Sequence, residues 1–353
     1  MSERVYLDWN ATAPLRSEAR AAIIAAFDVV GNPSSVHAEG RAAKAVVERA
    51  RGQVAAAVGC APQEVVFTSG ATEAASVLAH WPGDVRVEAT AHDALWAHRR
   101  ETGGEAAIHA MGLANSETGV IGAVPERDAD GWVLPDGSWA QALLLDITQA
   151  VGRIPFGFAW SGAELAVLSA HKLGGPKGVG ALIVKQGVDI EALSLGGGQE
   201  MGRRSGTENV AGIAGFGAAA EAAMRDLEAG VWGRVEKLRN ILESGLEAVA
   251  PQTNFIGNSV QRLPNTSCLA SPGWKGETQV MQMDLAGIAV SAGSACSSGK
   301  VRESRVLRAM GYDEETARSA IRVSLGPETT EDQIGRFIDA WTAAHARFRA
   351  RAA

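Results

Sequence analysis

The chain has 353 residues, 46% of them hydrophobic, with 33 lysines and arginines against 40 aspartates and glutamates, a formal charge of −7. That acidic excess speaks against a nucleic-acid surface, no apolar run reaches membrane-spanning length, and three cysteines are too few for a disulfide framework. The opening MSERVYLDWN has no secretory pattern, so the expectation is a cytoplasmic protein of two lobes with free thiols and no metal site.

In chain order, Ala43, Val46, Val47, Ala50, Val54, Ala57 and Val58 recur at helical spacing, with Arg41, Lys44, Glu48 and Arg51 between them. This predicts an amphipathic helix over 43–58. Short apolar runs predict buried strands at 65–68, 85–88, 143–147, 165–168 and 181–184, each running out into Gly, Ser or helix-cap residues. Such alternation predicts an α/β fold on a mostly parallel sheet. Val235, Leu238, Leu242, Leu246 and Val249 mark a long amphipathic helix. Short strands at 265–270, 288–291 and 321–325 then alternate with helices. The Ala-rich stretch 208–232 carries the boundary between a large domain over 14–225 and a small α+β domain made of 1–13 with 226–353.

Four segments carry chemistry. Ser69-Gly70-Ala71-Thr72-Glu73 follows a strand with a glycine turn and a helix start, whose N–H groups suit a phosphate; an ordinary capped helix has the same letters. Asp146-Ile147-Thr148-Gln149 ends an apolar strand, where a carboxylate either caps the chain or holds a protonated pyridine nitrogen. Ser169-Ala170-His171-Lys172 ends another, and a sequestered lysine with lowered pKa forms an imine with an aldehyde. A lysine at a strand end is also common on plain surfaces. Ser291-Ala292-Gly293-Ser294-Ala295-Cys296-Ser297-Ser298-Gly299 places a cysteine in a polar Gly/Ser segment, where packing does not account for it. Cys60 and Cys268 read instead as buried and inert.

Taken in order, these segments resemble the cysteine desulfurases of the nitrogen-fixation and iron–sulfur-assembly type. These belong to the class V aminotransferase group of fold-type-I, aspartate aminotransferase-like enzymes dependent on pyridoxal 5'-phosphate (PLP). The resemblance also rests on Tyr6-Leu7-Asp8, Ala11-Thr12-Ala13-Pro14, Gly31-Asn32-Pro33-Ser34-Ser35-Val36-His37, Arg204-Ser205-Gly206-Thr207 and Ile321-Arg322-Val323-Ser324-Leu325-Gly326. It implies that Lys172 carries the cofactor as a Schiff base, Asp146 pairs with the pyridine nitrogen and His92 stacks over the ring. It implies phosphate contacts from Ala71, Thr72, Ser169 and His171, with Thr207 supplying one across a homodimer, and a ring-oxygen contact from Gln149. Arg322 and Asn32 would bind the substrate L-cysteine, and Cys296 would take its sulfur as a persulfide for a protein acceptor, leaving alanine.

The chain departs from the family in places. Ser116 stands where the cofactor-contacting asparagine is expected, so that contact is lost or passes to Asn115. Ala74, Ala75 and Ser76 replace the usual asparagines, the intervals 72–92 and 92–115 are short, and the chain stops soon after Arg351. A selenocysteine lyase or another class V PLP enzyme, and a catalytically idle paralogue acting as a binding subunit, are the competing readings.

Overall fold

The computed structural model describes residues 4–103, 106–293 and 303–352. The chain forms two compact units, one of Ala13–Leu113 with Gly122–Leu227, the other of Met1–Thr12, Ala114–Ile121 and Glu228–Ala353.

The first unit is built on strands β1 (Val65–Thr68), β2 (Asp84–Val87), β3 (Ala106–Gly112), β4 (Trp139–Asp146), β5 (Leu165–Ser169) and β6 (Gly180–Val184). Their spatial order is β1-β6-β5-β4-β3-β2. Strands β2 to β5 run parallel, and β6 is antiparallel to both of its neighbours. The α/β class and the mostly parallel sheet are those the sequence predicts. β3 is the strand its pattern does not announce. Only Ile108 in AAIHAMG is β-branched, yet pairing with β2 on one side and β4 on the other overrides that weak local preference.

The helices are α1 (Ser17–Phe27), α2 (Ala38–Val58), α3 (Ala71–Ala75) and α4 (Val210–Glu228). On α2 the predicted apolar positions Ala43, Val47, Ala50, Val54, Ala57 and Val58 are buried, and Val46 only partly. Gly59 ends the helix at φ +71°, a left-handed conformation that a side chain disfavours. Gly217 lets α4 approach α2: a Cβ there would lie 2.6 Å from the Ala50 Cα.

Arg51 on α2 and Glu200 form a buried pair, each residue only 5% exposed. The guanidinium meets the two carboxylate oxygens at 2.7 and 2.8 Å and also donates to the Val65 carbonyl, while Glu200 accepts the Phe67 N–H at 2.8 Å. This clamp pins a turn in which Glu200 and Met201 take φ of +49° and +58°, a conformation costly for non-glycine residues. Glu200→Ala would leave buried Arg51 with only the half-exposed Glu48 carboxylate, at 3.2 Å, as counter-charge, and chemical denaturation should register a loss of about 3 kcal/mol. A loss under about 1 kcal/mol would mean that water solvates Arg51 in the variant.

His109 on β3 is also buried, its Nδ1 without a hydrogen-bond partner. Burial, assisted by the Arg86 cation, lowers its pKa from 6.5 to about 4. The unfolded chain therefore binds a proton that the folded chain refuses, so stability is full above about pH 6.5 and falls as pH drops toward 4. Between pH 7 and pH 5 this one group removes about 2 kcal/mol. His109→Leu should lose that much less over the same interval in urea denaturation. Parallel losses in the two proteins would refute the assignment.

In the second unit, β7 (Asn254–Phe255), β8 (Thr266–Ala270), β9 (Ser291–Ala292) and β10 (Ala320–Ser324) form an antiparallel sheet ordered β7-β8-β10-β9. Helices α5 (Val231–Val249), α6 (Gly276–Leu285) and α7 (Glu331–Ala352) accompany it. The run 288–291, expected as one strand, is divided. Ile288–Ala289 pairs with Val5–Tyr6, whereas Ser291–Ala292 pairs with β10. Leu7 accounts for the division, because its N–H donates to Ala289 and its carbonyl accepts from Ser324. Among the described residues, no helix is long and apolar enough to cross a membrane and no cluster could hold a metal ion.

Candidate active site

Parallel strands deliver their carboxyl ends to one edge of a sheet, and ligands of α/β proteins bind at that edge. In the first unit, Asp146 is the last residue of β4 and pairs with Val167 of β5. β5 ends at Ser169 and passes directly into a helical turn, Ala170–Lys172. Two strands away, β1 ends at Thr68, whose register partner is Gly180, itself paired with Ser169. His92 follows the end of β2 by five residues. The pairing thus gathers the SGATE, Asp146 and Lys172 segments, far apart in sequence, along one edge.

Glycines bring two of these segments into contact. A Cβ on Gly180 would lie 2.5 Å from the Gly70 Cα, so only glycine there lets the turn before α3 settle against β6. The Ser169 hydroxyl lies 3.8 Å from where a Gly70 Cβ would be. Glu73 secures the turn from below, accepting the Ser69 N–H and the Arg204 guanidinium at 2.6 and 2.9 Å. Burial pushes the Glu73 carboxyl up, but Arg204 and Ser69 outweigh it and hold it below the usual range.

The ionisable groups are held by their surroundings. Asp146 Oδ1 accepts the Thr148 N–H at 2.9 Å. Burial, with Lys172 and Lys177 nearby, lowers the pKa of His171 to about 4, so its imidazole is neutral at pH 7. His92 Nδ1 accepts the Ala94 N–H at 3.1 Å, which assigns the proton of its neutral form to Nε2. Asn32 turns its side-chain oxygen to the Ser34 N–H and is exposed, as is Thr207.

Arg322 and Asn115 belong to the second unit. Arg322 is buried on β10, donating to Asp8 Oδ1 at 2.7 Å and to the Ser116 carbonyl at 3.0 Å. The Ser116 contact is made by the backbone, so the unusual side chain there leaves it untouched. Asn115 Oδ1 accepts the Glu117 and Thr118 N–H groups and the Thr118 hydroxyl, a loop-closing arrangement. Cys296 lies outside the described residues. The flanks of its segment meet one carboxylate: Glu117 Oε2 accepts the Ser304 hydroxyl at 2.6 Å and lies 3.4 Å from a Cβ built on Gly293.

Two residues of these sites escaped the sequence reading. Glu117 was one: the family pattern places a glutamate here, but nothing in the sequence pairs it with Ser304. Arg153 was the other: it is 5% exposed, donates to Gln149 Oε1 and meets the Lys172 carbonyl at 3.0 Å. Its spacing of four from Gln149 was the available signal, but the fold alone brings Lys172 to it.

These residues fit PLP. The Ser169 and Thr72 hydroxyls, neutral His171 and the α3 amides offer donors for a phosphate, Asp146 a carboxylate for a pyridinium, and Lys172 an amine for the aldehyde. Fold and donor set together define a PLP-dependent enzyme of fold type I. A family model described as Aminotransferase class-V matches residues 5–94 and 104–337. The chain is 38% identical to a cysteine desulfurase of Cereibacter sphaeroides, over 96% of its own length and 94% of the relative's. It is 40% identical to a cysteine desulfurase of a Frankia species, with 94% and 88% covered. The X-ray structure of a NifS-like protein from Rickettsia africae matches it with a TM-score of 0.83 at 30% identity, covering 98% of this chain and 100% of that one. The chain belongs to the class V aminotransferase family.

Proposed function

We propose that this chain is a cysteine desulfurase that moves sulfur from L-cysteine to Cys296 and releases L-alanine. The observation that carries this reading is the single sheet edge on which Asp146, Lys172, Ser169 and the Gly70 turn meet, in a chain 38–40% identical to cysteine desulfurases over nearly its full length. PLP, when bound, supplies an electron sink conjugated to the substrate Cα.

Each residue has a defined task. Ser169, His171, Thr72 and the Ala71 amide bind phosphate; neutral His171 does so as a hydrogen-bond partner and not as a counter-charge. Asp146, fixed by Thr148, keeps the pyridine nitrogen protonated. Gln149 donates to the ring oxygen, and Asn115 binds the cofactor through the part of its amide not engaged at Oδ1. Arg322, oriented by Asp8 and the Ser116 carbonyl, binds the substrate carboxylate, and Asn32 assists. Lys172, released as a free amine, removes the Cα proton. His92 stacks over the ring, and its Nε2 proton suits it to protonate the departing product. The Cys296 thiolate attacks the substrate sulfur, forming the S–S bond of the persulfide as the C–S bond breaks with its electron pair left on Cβ; Cβ takes up one proton and Cα regains the proton that Lys172 removed, which gives alanine.

Thr207, exposed on its own protomer, is assigned to the phosphate of a second copy in a homodimer. The persulfide passes to a protein acceptor in the cytoplasm, and the boundary between the two domains falls along the chain at residues 225–226. An assay for alanine and sulfide released from L-cysteine, with and without a reductant, tests the proposal. Equal release of alanine and persulfide-derived sulfide is expected. With the reductant present, alanine formed without sulfide would overturn it, as would sulfide formed with pyruvate.

A further inference from the structure

Arg153 is a buried cation that lies outside the short motifs on which the sequence resemblance rests. Its guanidinium spans two loops at the carboxyl edge of the sheet, donating through Nη1 to Gln149 Oε1, after β4, and through Nη2 to the Lys172 carbonyl, after β5. Guanidinium carries donors only. The Gln149 atom it meets is therefore the amide oxygen, and the amide NH2 is turned away from Arg153. A donor-only group on Oε1 thus favours the amide orientation that keeps the Gln149 NH2 available as a donor on its other side.

We infer that Arg153 is a positioning residue that locks Gln149 as an N–H donor toward the cofactor's ring oxygen and ties it to the turn carrying Lys172. This rests on the assignment of Lys172 and Gln149 to PLP. A donor on that oxygen draws electron density from it and weakens its hold on the proton at the Lys172 nitrogen. Arg153 thereby lowers the pH at which that nitrogen gives up its proton. Among the described residues, other ionisable groups about this turn include Asp146 at the end of β4, His171 and Lys177 along the same loop, His92 after β2, and Arg16, which donates to the Leu173 carbonyl and pairs with Asp226 at 2.7 Å. All of them are retained in the variants below.

The test is a visible absorbance titration of the PLP-loaded protein. Arg153→Met should remain yellow and move the midpoint up by about one pH unit, a tenfold change in proton affinity. Arg153→Lys keeps the charge but cannot span both acceptors, and about half that shift is expected; it also serves if the methionine variant does not fold. In a Gln149→Ala background, Arg153→Met should move the midpoint no further, because the lock then has nothing to hold. Yellow Arg153 variants with an unmoved midpoint would overturn the inference. So would an equal shift with and without Gln149, which would be the effect of charge alone. A wild-type protein that binds no PLP would overturn the cofactor reading itself, a result distinguishable from both.

Discussion

Lys172→Ala should fold, carry no covalently held cofactor after borohydride treatment, and lose turnover by about four orders of magnitude or more, since it removes both the anchoring amine and the base. The turn itself should survive the change. Its backbone is held by Ala13 N–H to the His171 carbonyl at 2.9 Å, Gly175 N–H to the Ala170 carbonyl at 2.9 Å and Arg153 to the Lys172 carbonyl at 3.0 Å, none of which uses the lysine side chain. Peptide mapping of the reduced wild-type protein should find the pyridoxyl group on Lys172. Two nearby lysines make the test sharp. Lys177 is exposed, and Lys185 donates to the Gly162 carbonyl at 3.2 Å beside Glu164. A pyridoxyl group on either of them would move the active site.

Cys296→Ser should abolish sulfur release, by about three orders of magnitude or more, while leaving cofactor loading unchanged. A serine hydroxyl is a far poorer nucleophile toward sulfur than a thiolate. The other two cysteines cannot substitute. Burial, with Glu64 nearby, pushes the Cys60 thiol up to about 12, and full burial together with Glu117 pushes Cys268 higher still. Both stay protonated at neutral pH, whereas an exposed thiol near its ordinary value of about 8.5 keeps a few per cent of thiolate. Mass spectrometry after a short pulse of L-cysteine should therefore find one added sulfur, on Cys296. Added sulfur on Cys60 or Cys268, or sulfur release by the serine variant, would refute the mechanism.

The structure also bears on the departures that set this chain apart from its family. Ser116 replaces an asparagine, but the contact found at that position runs from its backbone carbonyl to Arg322 and does not depend on the side chain. Asn115 has its amide oxygen committed to Glu117 and Thr118, so that oxygen does not take over the contact.

The sequence by itself determined the elements and the chemistry. Helix α2, five strands of the first unit and strands β8 and β10 follow from periodicity, because burial on one or both faces writes itself into residue spacing. Asp146 and Ser169 were legible because each ends an apolar run and lies at a strand terminus, and Lys172 follows Ser169 in the helical turn Ala170–Lys172. Only the tertiary structure decided the rest. β3 exists because two neighbours supply its hydrogen bonds, the run 288–291 is divided because Leu7 bridges it, and Arg51 finds Glu200 across 149 residues of chain. Arg153 belongs with these. Its charge, its spacing from Gln149 and its position after a strand are all visible in the sequence, but its second partner is a backbone carbonyl. Every residue has a carbonyl, so no sequence pattern can single out the one that folding will bring within 3.0 Å.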